Sequence, residues 1–171
     1  ETEGLIELVP HRGAIVKPFN VQDIEEIYTL RAELESLAVS KSVGSMKQED
    51  IQKLENLTKQ MKKSIEAEEF VEANIEYHRM LMKHCSWKRL LSFIETLWNG
   101  FPQQTPHMLA GQVDLSNQEH DEILNAVKDG DADRAASLLA DHIKRTGKSL
   151  IESIHKSKGE PRSLLQKIED Q

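Results

Sequence analysis

The chain has a single cysteine, Cys85, among 171 residues, so no internal disulfide framework can hold it together. One unpaired thiol suits a reducing compartment, and a cytoplasmic location is expected. Aromatic residues are scarce at 5%, which leaves aliphatic side chains to build the core. No apolar run approaches the roughly 20 residues that a membrane-spanning helix needs, and the first residues do not read as a signal peptide. There is no block of Lys or Arg, and the formal net charge is −7. Both features argue against nucleic-acid binding by this chain alone, because that needs a basic footprint. Gly-rich phosphate loops, nucleophile elbows, repeats and low-complexity segments are all lacking.

What is present is helical period. The first residues differ: Leu5 to Val9 and Ala14 to Val16 flank Pro10-His11-Arg12-Gly13, which predicts a small β-hairpin. From the N-cap candidate Asn20 onward, Ile24, Ile27, Leu34 and Ala38 recur at spacings of three and four. The pattern predicts further helices over about 47–67, 68–83 and 87–98. Ser116-Asn117-Gln118-Glu119 reads as a capping box opening a fifth helix. Asp129-Gly130-Asp131 reads as a sharp turn with Asp131 as the N-cap of the last long helix. The expected fold is all-α: an antiparallel bundle of six to seven helices with short loops, preceded by the hairpin.

Polar residues interrupt the apolar stripes. Asn74 and His78 stand i, i+4 on the third helix, so both project from one side. His120 lies about ten residues before the Gly130 turn and His142 about twelve after it. Antiparallel helices rising about 1.5 Å per residue would bring those two to nearly the same height. Three imidazoles and an amide oxygen, with a position left for water or ligand, suit a divalent ion such as Zn²⁺ or Ni²⁺. Each histidine alone reads equally as an ordinary core or surface residue, and spacing leaves both readings open. Arg31 sits in the apolar stripe of the first helix, where a guanidinium needs an anion. It is either a salt-bridged or snorkelling side chain, or a bidentate clamp for a carboxylate ligand. His11, His84, His107 and His155 have no such context and are expected at the surface. Cys85, Trp87 and Trp98 are expected in the core.

Three blocks in order resemble a known family: PHRGAIVKPFNVQDIEEIYTLRAELESLA at 10–38, NIEYHRML at 74–81 and EHDEILNAVKDGDADRAASLLADHI at 119–143. They are similar to the FadR-type (FCD) effector-binding domain of GntR-family bacterial transcription regulators. The resemblance implies a layout of 1–17 as wing remnant and linker of a winged-helix DNA-binding domain, 18–158 as the effector-binding bundle and 159–171 as tail. It implies a metal site of Asp-x-x-x-His plus two further histidines. His78, His120 and His142 match that pattern, while Asn74 stands at the Asp position. An amide brings no charge, so weaker metal binding or a changed metal preference is expected. The resemblance places Arg31 facing the effector, and it implies a homodimer, a small organic acid as effector, and operator DNA as partner only in a protein carrying the winged helix. Two rival readings stand beside it. One is a metal-dependent hydrolase with Glu119 or Asp121 as base. The other is a dimerisation module with a degenerate pocket.

Overall fold

The computed structural model describes residues 6–9, 13–16, 21–99 and 112–157. Strands β1 (Ile6–Val9) and β2 (Gly13–Val16) pair antiparallel, Ile6 opposite Val16 and Val9 opposite Gly13. Among the described residues the rest is helical: α1 (Val21–Ser42), a 3₁₀ turn (Val43–Ser45), α2 (Gln48–Lys63), α3 (Ala67–Leu81), α4 (Lys88–Asn99), α5 (Gln112–Lys128) and α6 (Ala132–Ser157). The expected all-α bundle is what forms. His11, His107 and the predicted N-cap Asn20 lie outside the described residues.

Helix α1 packs along α6, α2 against α3 and α5, α5 against α6, and α4 against α1. Each contributes an apolar stripe at helical spacing to one core, including Ile24 and Ala38 of α1, Leu54 and Met61 of α2, and Phe70 and Leu81 of α3. Ile94 of α4, Ile123 and Val127 of α5, and Leu139, Ile143 and Leu150 of α6 complete it.

Helix ends explain the loops. At the end of α5, Gly130 adopts a left-handed φ of 70°. The Gly130 and Asp131 N–H groups reach back to the Val127 and Ala126 carbonyls, both at 3.0 Å, closing a Schellman motif. The Arg134 N–H donates to Asp131 Oδ1 at 3.0 Å, so Asp131 caps α6 as its position suggests. At the start of α2, buried Asp50 accepts the Lys47 N–H at 3.0 Å, Lys83 Nζ at 2.7 Å and a bond shared with His84 Nε2 at 2.8 Å. The bonds from Lys83, the Lys47 N–H and His84 hold its carboxyl well below the ordinary range.

Three sequence expectations are corrected here. Ser116 does not open α5, which begins at Gln112; it lies inside the helix, 1% exposed. Ser116 and Glu119 are three apart because both reach Arg145 of α6 from one helical face, which mimics a capping box. His84 is half-buried and bound to Asp50 rather than free at the surface. Trp87 is 52% exposed, its ring 5.5 Å from Lys41 Nζ, whereas Trp98 is buried as expected.

At Gly147, α6 leaves room for Tyr28 of α1 only because there is no side chain. A Cβ added there would stand 2.6 Å from Tyr28 Cβ and Cγ. Gly147→Ala should therefore destabilise the protein by about 1–3 kcal/mol through overpacking, despite alanine's better helix propensity. Thermal unfolding monitored at 222 nm measures this.

Candidate metal centre

His78 of α3, His120 of α5 and His142 of α6 are buried together where three helices meet. Their ring centroids lie 5.8 Å (78–120), 5.6 Å (78–142) and 4.7 Å (120–142) apart. One nitrogen from each falls within 4.8 Å of the others. The matched heights inferred for His120 and His142 across the Gly130 turn are realised, although His120 sits in the middle of α5 and not at its start. Asn74, 7% exposed, lines a cavity of about 20 Å³ with Tyr28, Arg31, His78, His142, Ile143 and Thr146. The sequence-derived site residues Arg31, Asn74, His78 and His142 thus share one cavity, while His120 is outside its lining, with its ring edge-on to His78 and tilted to His142.

The surrounding charges came less readily from sequence. His78 Nδ1 is 2.8 Å from Glu35 Oε2, and Glu35 is fully buried. Glu35 Oε1 accepts from Arg31 Nε at 2.8 Å and from Trp98 Nε1 at 2.7 Å. On the opposite side His142 Nδ1 is 2.6 Å from Glu119 Oε2. Glu119 is gripped by Arg145, Nε to Oε1 and Nη2 to Oε2, both at 2.6 Å, while Arg145 also donates to Gln112 and Ser116. Two Arg–Glu–His relays therefore converge on one point.

A carboxylate on Nδ1 fixes the tautomer of a neutral imidazole: Nδ1 carries the proton, and Nε2 keeps its lone pair for a metal. His78 Nε2 and both nitrogens of His120 are buried without a hydrogen-bond partner. Buried donors and acceptors are rarely left so, and each costs about 1–3 kcal/mol. A divalent cation bound by three imidazole nitrogens would satisfy His78 Nε2 and the one lone pair of neutral His120, so the residues present fit the ion.

Electrostatics agree. Burial, then the neighbouring His142 and His78, pushes His120 well below the usual imidazole value. Burial also lowers His142, to about 4, despite the opposing bond to Glu119. Both rings are neutral at physiological pH, the form that ligates metal. Burial works against ionised Glu35, yet Arg31, His78 and Trp98 outweigh it and hold the carboxyl at about 2. Glu119 is likewise lowered, the bonds from His142 and Arg145 overcoming desolvation. The anion that Arg31 requires is thus Glu35, one turn along its own helix.

A family model, the FCD domain, matches residues 26–145. The chain belongs to the FCD domain family. The match spans Arg31, Glu35, Asn74, His78, Glu119, His120 and His142. The FCD domain is 26% identical over 99 residues to an uncharacterized HTH-type transcriptional regulator, YdhC, of Bacillus subtilis; this covers 56% of the chain and 44% of that protein. The chain therefore spans less than half the length of this curated relative. Among solved structures, a GntR-family transcriptional regulator from Pseudomonas syringae superposes with a TM-score of 0.70 at 19% identity, covering 92% of this chain and 68% of that one. The metal-free FCD domain of TM0439 superposes with 0.68 at 19% identity, covering 82% and 99%. At such identities these likenesses establish the shared fold.

Proposed function

We propose that this FCD domain is the effector-sensing and dimerisation domain of a GntR-type bacterial transcription regulator. In this reading His78, His120 and His142, with Asn74 as a neutral fourth donor, hold a divalent ion such as Zn²⁺ or Ni²⁺. The ion, as a Lewis acid, supplies an open position for a carboxylate. The observation that carries the reading is the convergence of three buried imidazoles, two of them aimed by carboxylates and two with orphaned nitrogens. Arg31 lines the same cavity and supplies the positive charge beside a bound carboxylate.

The effector is a small organic acid. It controls a DNA-binding part in a longer protein if it binds the operator-competent and incompetent arrangements unequally. The acidic balance of this chain supports operator contact being made by that other part. Exposed Leu30 and Leu37 on α1 and Phe93 on α4, two helices that pack together, favour a homodimer. A bacterial regulator works in the cytoplasm, and no described helix is long and apolar enough to cross a membrane. A hydrolytic role is not favoured, since Glu119 is committed to Arg145 and His142, and Asp121 to Lys62.

Calorimetric titration of Zn²⁺ or Ni²⁺ into metal-free protein, then of small carboxylates into the loaded form, tests the proposal. Asn74→Asp should tighten metal binding by about tenfold or more, because a carboxylate adds charge where the amide has none. Failure of any carboxylate to bind the loaded protein would overturn the effector assignment.

A further inference from the structure

The buried cavity beside the histidines measures about 20 Å³, enough for one water-sized occupant but not for an organic acid. A second cavity of about 480 Å³ lies as a solvent-facing groove between the N-terminal half of α1 and the C-terminal half of α6. Its size falls in the range of small-molecule sites. Tyr28 lines both spaces, and it is the residue their walls have in common. We infer that Tyr28 is a movable partition, and that the complete ligand site is the inner cavity joined to this groove.

The seating of Tyr28 supports this. Its ring lies under the Arg31 guanidinium, 5.2 Å from centroid to Cζ. Its base rests on α6 where Gly147 has no side chain, closely enough that a Cβ there would meet Tyr28 Cβ and Cγ at 2.6 Å. The side chain is thus held at its root by α6 and farther out by Arg31, with which it also shares a side-chain hydrogen bond, so merging the two volumes requires that bond to part and the ring to turn, without separating α1 from α6. Rearranging one side chain costs far less than parting two helices packed over most of their length.

The chemistry of the two spaces differs. The inner one presents Arg31, Asn74 and imidazoles; the groove offers Val21, Ile151 and Thr29 among balanced charges, Lys144 and Lys148 against Glu25 and Glu152. Lys144 is paired with Glu33 at 2.8 Å, and Lys148 lies 4.0 Å from Glu152. A ligand suited to both is a small organic anion, its charged head beside Arg31 and its body over the apolar and hydroxyl groups of the groove. That ligand class rests on the function proposed above; the partition itself does not.

Cysteine accessibility tests the partition without metal or effector. In a Cys85→Ala background, Asn74→Cys places one thiol on the inner cavity, and its reaction with a small methanethiosulfonate reagent is followed by mass spectrometry. Labelling should be slow with Tyr28 in place. Tyr28→Ala should speed it at least about tenfold, since a local opening step no longer precedes reaction. Ile143→Ala, which enlarges the inner cavity from a wall not shared with the groove, should leave the rate within about twofold on the same grounds. Equal rates with Tyr28 and alanine at position 28, or equal acceleration by Ile143→Ala, would overturn the inference. Should Tyr28→Ala not retain the wild-type helical circular dichroism, Tyr28→Leu carries the comparison. A protein that labels as expected but binds no metal keeps the partition and loses the metal centre.

Discussion

His120→Leu is expected to make the metal-free protein more stable while abolishing its capacity for a divalent ion. His120 is fully buried, and neither ring nitrogen has a hydrogen-bond partner. Replacing a group that has lost its water without gaining a partner by an apolar one of similar size removes that desolvation cost, about 1–3 kcal/mol. The surroundings accept such a residue, since Tyr77 bonds to the His120 backbone carbonyl at 2.9 Å and keeps that bond. A gain in stability with a loss of metal is the signature of a residue kept for binding. Urea unfolding of both metal-free proteins and metal titration of each would measure the two effects. Lower stability in the leucine variant would contradict the reading.

Glu35 should behave in the opposite way. Its carboxylate joins Arg31, His78 and Trp98 in a fully buried network. Glu35→Ala leaves the Arg31 guanidinium buried, 5% exposed, with its anion gone. Breaking a buried pair from one side costs about 3–5 kcal/mol, so this variant should be among the least stable single substitutions in the chain. The same residue sets an acid limit. Its carboxyl is held at about 2 against an ordinary 4.5, so the folded state binds its proton more weakly than the unfolded state does. The stabilisation is therefore complete above pH 4.5 and is lost as pH falls from 4.5 toward 2, on the order of 3 kcal/mol in all. In metal-free protein a second loss precedes it. The lowered His142 value means that stability is complete above about pH 6.5 and falls toward pH 4 as the unfolded chain takes up protons first. Urea unfolding across this range should show both stages, with the lower one reduced in Glu35→Gln to what Asp50 and Glu119, whose carboxyls are also held low, contribute.

How much of this the sequence disclosed depends on whether a feature was local or crossed the bundle. The helices were readable because their stripes repeat at helical spacing, and the Asp131 cap because its signal lies within four residues. The three histidines were readable for a related reason: His120 and His142 flank one tight turn, so their heights follow from counting residues. The Arg31–Glu35 pair was also within reach, being i, i+4 on one helix. Spacing alone does not say whether Arg31 meets that carboxylate or a ligand's. Arg145 was not readable, because its significance depends on Ser116 and Glu119 of another helix. Those two residues imitate a helix start when only spacing is considered. Trp98 lies on the buried face of α4 whereas Trp87 stands just before that helix begins, a difference of packing that spacing alone does not show.

The proposed function stands on a metal centre formed by His78, His120 and His142 beside Asn74. The most direct measurement is metal content per chain by elemental mass spectrometry, for wild type and His78→Ala, each purified without chelator. Close to one equivalent of a divalent ion is expected in the wild type, and its loss in the variant. Metal absent from both, or equal in both, would contradict it.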